Sequence, residues 1–406
     1  MPNILTINGG SSSIRFAIFD VGRPPRRLLQ GKIERIGGND ASLMVEHAHN
    51  AGNAERRFDH GPTRIAINTK SAGSGCGFLM DWLESQPEFE TLGAVGHRVV
   101  HGMLHTEPER VTAALLDELK ANLPFDPEHL PREIELIEAL RHRHPNLPQA
   151  VCFDTSFHRS MPDVAARLAI PRRYQARGVR RYGFHGLSYT YLMQELARLG
   201  DRAAVQGRVI LAHLGSGASL AAVRDGRCID TSMGFTPAAG LVMGTRSGDL
   251  DPGLMSYLAI TEAMTAAQFQ AMINRESGLL GISETSADVR DLLDRESSDS
   301  RAAEALALFC YQARKWIGSY AAALGGIDTL VFAGGVGENS PAVRKRICEG
   351  LEFLGIRIDE GANGRNAPRI SAAAASVMVR VIRTDEESVI AALSIGLLNL
   401  RGDQGD

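Results

Sequence analysis

The chain has 406 residues, 44 basic and 47 acidic side chains, and a formal net charge of −3. That length suits two to three domains, and 44% apolar with 22% charged content is typical of a soluble globular protein. No basic run exceeds a few residues and aromatic platforms are sparse, which argues against a nucleic-acid partner, so an anionic substrate has to be held by a few placed cations.

In chain order, Ile4 to Ile7 reads as a short buried strand. It meets the small-residue turn Asn8 to Ser13 and a second strand, Ile14 to Phe19, which ends at Asp20 and Gly22. Residues 50–75 are polar and small-residue rich, a loop or excursion. Arg98 lies in Gly96 to Gly102, a stretch that reads as a strand end. Ala150 to Asp154 is a strand with Asp154 at its C-terminal end, and a domain boundary is expected near residues 155–165. Leu192, Leu196 and Leu199 form a helical stripe closed by Gly200. Val209 to His213, the turn Leu214 to Ser219 and Leu220 to Val223 then repeat the opening strand–turn–strand unit. Internal duplication and chance similarity of two hairpins are the alternatives.

Residues 284–300 again read as loop. Within 303–324, Leu306, Phe309, Ala313, Ile317, Tyr320 and Leu324 share one helical face, and Gly325–Gly326 ends the helix. The strand Val331 to Ala333 enters a glycine-dense turn, Gly334 to Gly337. Ser340 is the expected N-cap and Pro341 the first residue of the next helix. Such a turn lets a ligand approach the backbone, and the helix start offers N–H groups to anions; an ordinary strand–turn–helix connection has the same composition. A strand from Val377 to Ile382 precedes Glu386, and a final helix, 387–400, is expected to pack back on the first domain. Strands alternating with helices indicate an α/β architecture.

The five cysteines are scattered and form no C-x-x-C, which favours reduced thiols in a cytoplasmic compartment over disulfides or zinc. His97, His101 and His105 recur every fourth residue, but Val99, Val100 and Gly102 make that stretch strand-like, against a zinc face. The start lacks a charged leader segment, and no window reaches the ~20 apolar residues of a membrane span.

Chemistry concentrates at strand ends. Arg98 and Arg246 offer fixed donor forks for carboxylate or phosphate oxygens; the alternative for each is a structural ion pair, for Arg246 with Asp249 or Asp251. Asp154 is placed as a metal ligand or base, and Glu386 has the same placement, so together they suit Mg²⁺. N-cap duty is the alternative, and the favoured one for Asp385. His185 is a donor to a phosphoryl oxygen or a satisfied structural histidine. Glycine turns, two arginines, two carboxylates and no activated nucleophile match phosphoryl transfer by positioning and charge neutralisation. No G-x-x-x-x-G-K-[ST] occurs, so this is not a P-loop enzyme.

Nine motifs in register resemble the acetate kinase family over essentially the whole chain. They are Asn8 to Ser13, Gly96 to Gly102, Phe153 to His158, Arg181 to Gly186, Asp230 to Pro237, Met243 to Asp249, Ser277 to Ile282, Gly334 to Ser340 and Thr384 to Glu387. The resemblance implies an α/β fold of two duplicated ribonuclease H-like domains with an interdomain nucleotide cleft. The expected domains are residues 1–156 plus 388–406, and 157–387. It further implies reversible, direct in-line transfer from ATP to acetate, giving acetyl phosphate and ADP, in a homodimer with Mg²⁺ (or Mn²⁺).

By motif position, Asn8 and Glu386 look like the metal-site residues. Asp154, Arg98, Arg246 and His185 look like the catalytic set, with Arg98 also on the substrate carboxylate. Val100, Phe184 and Pro237 resemble the wall around the methyl group, with Phe125 beside them. Arg15, His213, Gly215, Ser216 and Gly217 correspond to the phosphate side. Asp288, Val289 and Arg290 match the adenosine side, and Gly335, Val336, Gly337 and Asn339 the opposite wall.

Four positions depart from the family. Arg15 replaces a lysine. Pro124 to Pro127 is one residue short and carries Asp126 where the family has a phosphoryl-contacting histidine. Ser216 replaces an asparagine, as does Asp385. A carboxylate beside a transferring phosphate costs transition-state stabilisation, so an active but divergent kinase is expected, with a propionate or butyrate preference or another phosphoryl donor as alternatives. A small apolar pocket discriminates a methylene by only ~1–3 kcal/mol, which makes propionate a slower substrate. A sugar kinase, or a non-enzymatic nucleotide switch of the same fold, is the rival reading.

Overall fold

A computed structural model describes residues 2–10, 13–34, 41–50, 56–57, 63–67 and 75–401. Ser11 and Ser12 of the serine turn, most of the 50–75 excursion and residues 402–406 lie outside the described residues. The chain divides into two units, one of Met1–Ser156 with Asp385–Asp406 and the other of Phe157–Thr384.

In the first unit, Asn3–Gly9 (β1) is buried at every position, as befits a central strand covered on both faces. It pairs antiparallel with Ser13–Asp20 (β2), and the sheet continues through Arg26–Glu34 (β3), Ser42–His47 (β4) and Thr63–Ala66 (β5). On its other side, Leu92–Val99 (β6) and Gln149–Phe153 (β7) run parallel to it. β5 is therefore an edge strand inside the segment expected to be a loop. Helices Gly75–Glu84 (α1) and Leu130–Arg143 (α2) contribute Leu79, Met80, Leu136 and Leu140 to one side of the core. At a second cluster, the last helix adds Ala391 and Ile395 beside Ile4, Ala94 and Ala150.

The second unit repeats the connectivity. Arg208–Leu214 (β8) pairs antiparallel with Ala218–Arg224 (β9), which pairs antiparallel with Arg227–Thr231 (β10). Thr329–Ala333 (β11) and Met378–Val381 (β12) extend β8 on its other side in parallel. The order β3-β2-β1-β6-β7 is thus matched by β10-β9-β8-β11-β12. The two hairpins are the opening strands of two ribonuclease H-like units, not a chance likeness.

Among the helices of this unit are Gly186–Arg198 (α3), Gly253–Thr261 (α4), Val289–Arg295 (α5), Ser300–Leu324 (α6), Gly334–Asn339 (α7) and Pro341–Cys348 (α8); Glu386–Leu397 (α9) belongs to the first unit. All six stripe residues of α6 are buried, and Gly325 ends the helix in the left-handed region at φ 70°. Four expectations differ. Leu199 is 43% exposed, because it is the C-cap of α3, past the last turn whose face buries Leu192 and Leu196. The 284–300 loop contains α5, capped by Asp288. The glycine turn is itself helix α7: Gly334, at φ 78°, turns the chain straight out of β11. Ser340 then joins α7 to α8, and its hydroxyl caps nothing; among the described residues its buried oxygen has no partner. Asp385 does cap α9, accepting from the Ser388 N–H.

His97, on β6, is buried and hydrogen-bonded through Nε2 to Gln149 Oε1 at 2.8 Å. His105, in the same series, lies instead between Glu109 and Glu118. Burial pushes the His97 pKa down to about 4, against the opposing Gln149 bond. An unfolded chain frees this imidazole to near 6.5. Above that pH both states are neutral and the contribution is complete. As pH falls from 6.5 toward 4, the unfolded chain takes up a proton that the native state refuses, and stability drops by up to about 3 kcal/mol. Urea denaturation across that window is expected to show the loss, and His97→Gln to flatten it.

Candidate active site

In the first unit, four elements deliver polar side chains to one network. Arg98 is the last but one residue of β6 and faces Cys152 across the parallel pair. Asp154 lies two residues beyond Cys152, so it returns to the same side of the sheet. Its Oδ2 accepts from Arg98 Nε at 3.0 Å and Nη2 at 2.5 Å, and the carboxylate is fully buried. The arginine's Nη1 is held more loosely, by Asn8 Oδ1 at 3.2 Å and the Gly9 carbonyl at 3.3 Å. Asn8 in turn donates from Nδ2 to Glu386 Oε2 at 2.8 Å and Glu387 Oε1 at 3.2 Å. Burial works against the Arg98 charge, but Asp154 and Glu386 outweigh it and raise its pKa. Burial, then the Glu386 charge, raises the Glu387 carboxyl above its ordinary value. The ion-pair alternative for Arg98 is therefore realised, and its partner is the other predicted catalytic group.

Asn8, Glu386 and Glu387 present only hard oxygens and an amide. Among the described residues, no three His, Cys, Asp or Glu side chains group as a metal cage. Magnesium typically takes one or two carboxylates and completes its shell with phosphate and water, so this donor set fits it better than zinc.

In the second unit, His185 and His213 stack with centroids 4.2 Å apart. His185 Nδ1 is hydrogen-bonded to Ser219 Oγ at 2.9 Å, and His213 Nδ1 to Ser188 Oγ at 2.8 Å; Ser188 Oγ also meets Thr384 Oγ1. Gly217 lies directly against this pair. A Cβ there would sit 2.7 Å from Arg246 Nη2 and 3.3 Å from His185 Nε2, so a larger residue would push the arginine tip aside. Arg246 Nη1 donates to the Pro237 carbonyl at 2.7 Å. Its acidic neighbours are engaged elsewhere, Asp249 with the Gly240 N–H and Asp251 with the Gly253 N–H. The Ser216 carbonyl accepts from the Gly244 N–H, which joins the glycine turn to the Arg246 loop. Glu338 Oε1 accepts from the N–H groups of Gly334 and Thr384, fixing the ends of β11 and the segment after β12 together.

The remaining predicted residues are dispersed between the units. Val100, Phe125 and Arg15 belong to the first; Phe184 and Pro237 belong to the second. Val100 and Phe184 are buried, and the Phe184 carbonyl accepts from His158 Nε2. Arg15 is exposed on β2, opposite Asn8. Gly215 lies near His213 Nε2 and the Gly335 N–H. Asp288 caps α5 and pairs with Arg290, while Val289 is buried. Gly335 and Asn339 are exposed on α7, and Asn339 donates to the Gly335 carbonyl. Asp126 is buried and bonded through Oδ1 to His129 Nδ1 at 2.9 Å, so the shortened loop brings an imidazole to the carboxylate. Sequence reasoning missed Glu133, Glu338 and the two serines. Glu133 alone carried a signal, an acid in phase with the apolar Leu130, Ile134 and Ile137.

A family model described as the Acetokinase family matches residues 3–392. The chain is 43% identical to an acetate kinase of Rhodopseudomonas palustris, covering 96% of each. It superposes on a propionate kinase from Francisella tularensis with a TM-score of 0.87 at 34% identity, covering 97% of this chain and 99% of that one. An acetate kinase from Porphyromonas gingivalis gives 0.81 at 34% identity, covering 98% and 100%.

Removing one partner of a buried ion pair strands the other charge. Asp154→Ala is expected to lower unfolding free energy by about 3–5 kcal/mol in urea, and Asp154→Asn, which keeps an acceptor, by less.

Proposed function

The chain belongs to the acetokinase family and is a short-chain carboxylate kinase, and we propose that it passes the γ-phosphoryl group of ATP directly and reversibly to acetate. One observation carries the assignment of roles: Arg98 is charged, only 12% exposed and held by Asp154 through Nε and Nη2, while its Nη1 makes the longer contacts to Asn8 and Gly9 and is the edge we assign to a substrate carboxylate. Asp154 fixes that guanidinium's orientation. Arg246 and His185, both beside Gly217, meet the charge that develops on the equatorial oxygens of the transferring group.

Val100, Phe184 and Pro237 form the apolar wall for the methyl group. Arg15, His213, Gly215, Ser216 and Gly217 serve the phosphates. Asp288, Val289, Arg290, Gly335, Val336, Gly337 and Asn339 serve the nucleoside. Asn8 and Glu386, with Glu387, would hold Mg²⁺ (or Mn²⁺), which supplies charge neutralisation on phosphate oxygens. The two neighbouring carboxylates of Glu386 and Glu387 support this.

A homodimer in the cytoplasm completes the reading. Helix α4 buries none of its residues and exposes Met255, Tyr257 and Ile260, the last at 84%. An apolar helix exposed in that way suits a second copy. All five cysteines are free thiols, as in a reducing compartment. Among the described residues, no helix is long and apolar enough to cross a membrane.

Acyl hydroxamate formation with ATP, Mg²⁺ and acids of two to four carbons tests the activity; no acyl phosphate from any of them would overturn it. Arg98→Ala is expected to lose at least about 10³-fold in turnover while still binding ADP by calorimetry. For the assembly, Tyr257→Glu with Ile260→Glu is expected to yield a monomer in analytical ultracentrifugation.

A further inference from the structure

Glu133 sits on α2 among the apolar stripe residues Leu130, Ile134 and Ile137 and is 2% exposed. An ionisable group buried there is costly unless it is engaged. Its Oε1 and Oε2 both accept from the Val100 N–H, at 3.2 and 3.1 Å. Val100 lies one residue past Val99, the last residue of β6 paired with β7, so the carboxyl replaces a ladder partner the sheet no longer supplies. The Glu133 side chain also reaches Gly9: its Cγ would be 3.8 Å from a Cβ built there, and the Gly9 carbonyl accepts from Arg98 Nη1. One side chain thus touches the turn behind the guanidinium and the strand end that carries Val100.

We propose that Glu133 is a positioning residue that sets acyl-chain specificity, by pinning the Val100 N–H and thereby the place of the Val100 side chain beside Arg98. The inference rests on the reading of Val100 as part of the acid-binding wall. Arg98, Asp126 and Asp154 are the charged groups that bear on this carboxyl. Burial drives its pKa well above the ordinary carboxylate range, the Arg98 charge opposes that rise, and Asp126 and Asp154 add to it. A neutral or an ionised carboxyl can accept from the Val100 N–H, and so can the side-chain oxygen of glutamine. The role is therefore one of hydrogen-bond geometry, and glutamine is its natural conservative replacement. Alanine removes the acceptor and leaves the N–H buried without a partner, free to draw the strand end out of place.

The experiment compares Glu133→Gln and Glu133→Ala with the parent enzyme, measuring kcat and KM for acetate, propionate and butyrate and KM for ATP. Hydrogen exchange of the peptide spanning Val99 to Gly102 is followed in parallel. Glu133→Ala is expected to raise the acetate KM at least tenfold, to narrow the acetate-over-propionate preference several-fold, and to leave the ATP KM within about twofold. Exchange around Val100 should accelerate in the alanine variant and stay near the parent's in the glutamine variant, whose acetate KM should lie within about threefold of the parent's. Three results would overturn the proposal: an alanine variant with unchanged acetate KM and acyl preference, equal losses in both variants, or an ATP KM that rises as much as the acetate KM. If Glu133→Ala fails to fold, the glutamine variant decides alone, through its acyl preference and exchange. A parent enzyme inactive on every acid would instead defeat the carboxylate-kinase reading on which this role depends, a failure visible before any variant is made.

Discussion

The buried pair between Arg98 and Asp154 is the constraint around which the first unit is arranged. A guanidinium cannot sit at the end of a covered sheet without an anion, and a fully buried carboxylate cannot remain charged without a cation. Each makes the other tolerable, and the geometry of their contact leaves one edge of the arginine lightly held. Asn8 extends the network to Glu386 and Glu387, so the cation is surrounded by more acid than it can neutralise alone. Such an excess of acid would attract a further positive charge, which agrees with the proposed magnesium ion.

Duplication explains why chemistry gathers where it does. In both units the central strand is flanked by an antiparallel hairpin on one side and by parallel strands on the other. Parallel strands aim their C-terminal ends the same way, so side chains from distant parts of the chain meet at that edge. Asn8, Arg98 and Asp154 lie at or just past the ends of β1, β6 and β7. His213 and Gly334 hold the matching places on β8 and β11, with Thr384 beyond β12. Ancestry thus supplied two similar platforms, and the side chains on them diverged: carboxylates and an arginine on one, histidines, an arginine and glycines on the other.

Much of this was legible in the residues, and the failures have physical causes. The α6 stripe was readable because a 25-residue helix buries one face throughout. The Asp385 cap was readable because capping is a local bond. Helix α7 was not: three glycines in six residues read as a turn on propensity alone. Its conformation is held by Arg344, a buried guanidinium that takes the carbonyls of Gly337 and Glu338 together with Asn363 and Asn366. Tertiary contact overrode local preference. Arg98 announced its need for an anion, but the identity of that anion required the register of two parallel strands. Glu133 looks like its neighbours Glu135 and Glu138, which are exposed, and only helical phase distinguishes it.

Helix α9 has a consequence for how the molecule is made. It is the last helix of the chain, yet it belongs to the first unit and covers the sheet formed by the opening strands. Ile4, Ala94 and Ala150 are therefore covered by residues that are synthesised after the whole of the second unit. The intervening 157–384 segment carries its own sheet and cores and has all its parts available earlier. Domains generally fold as units during synthesis; here the amino-terminal unit is complete only once a segment that follows the whole second unit has been made.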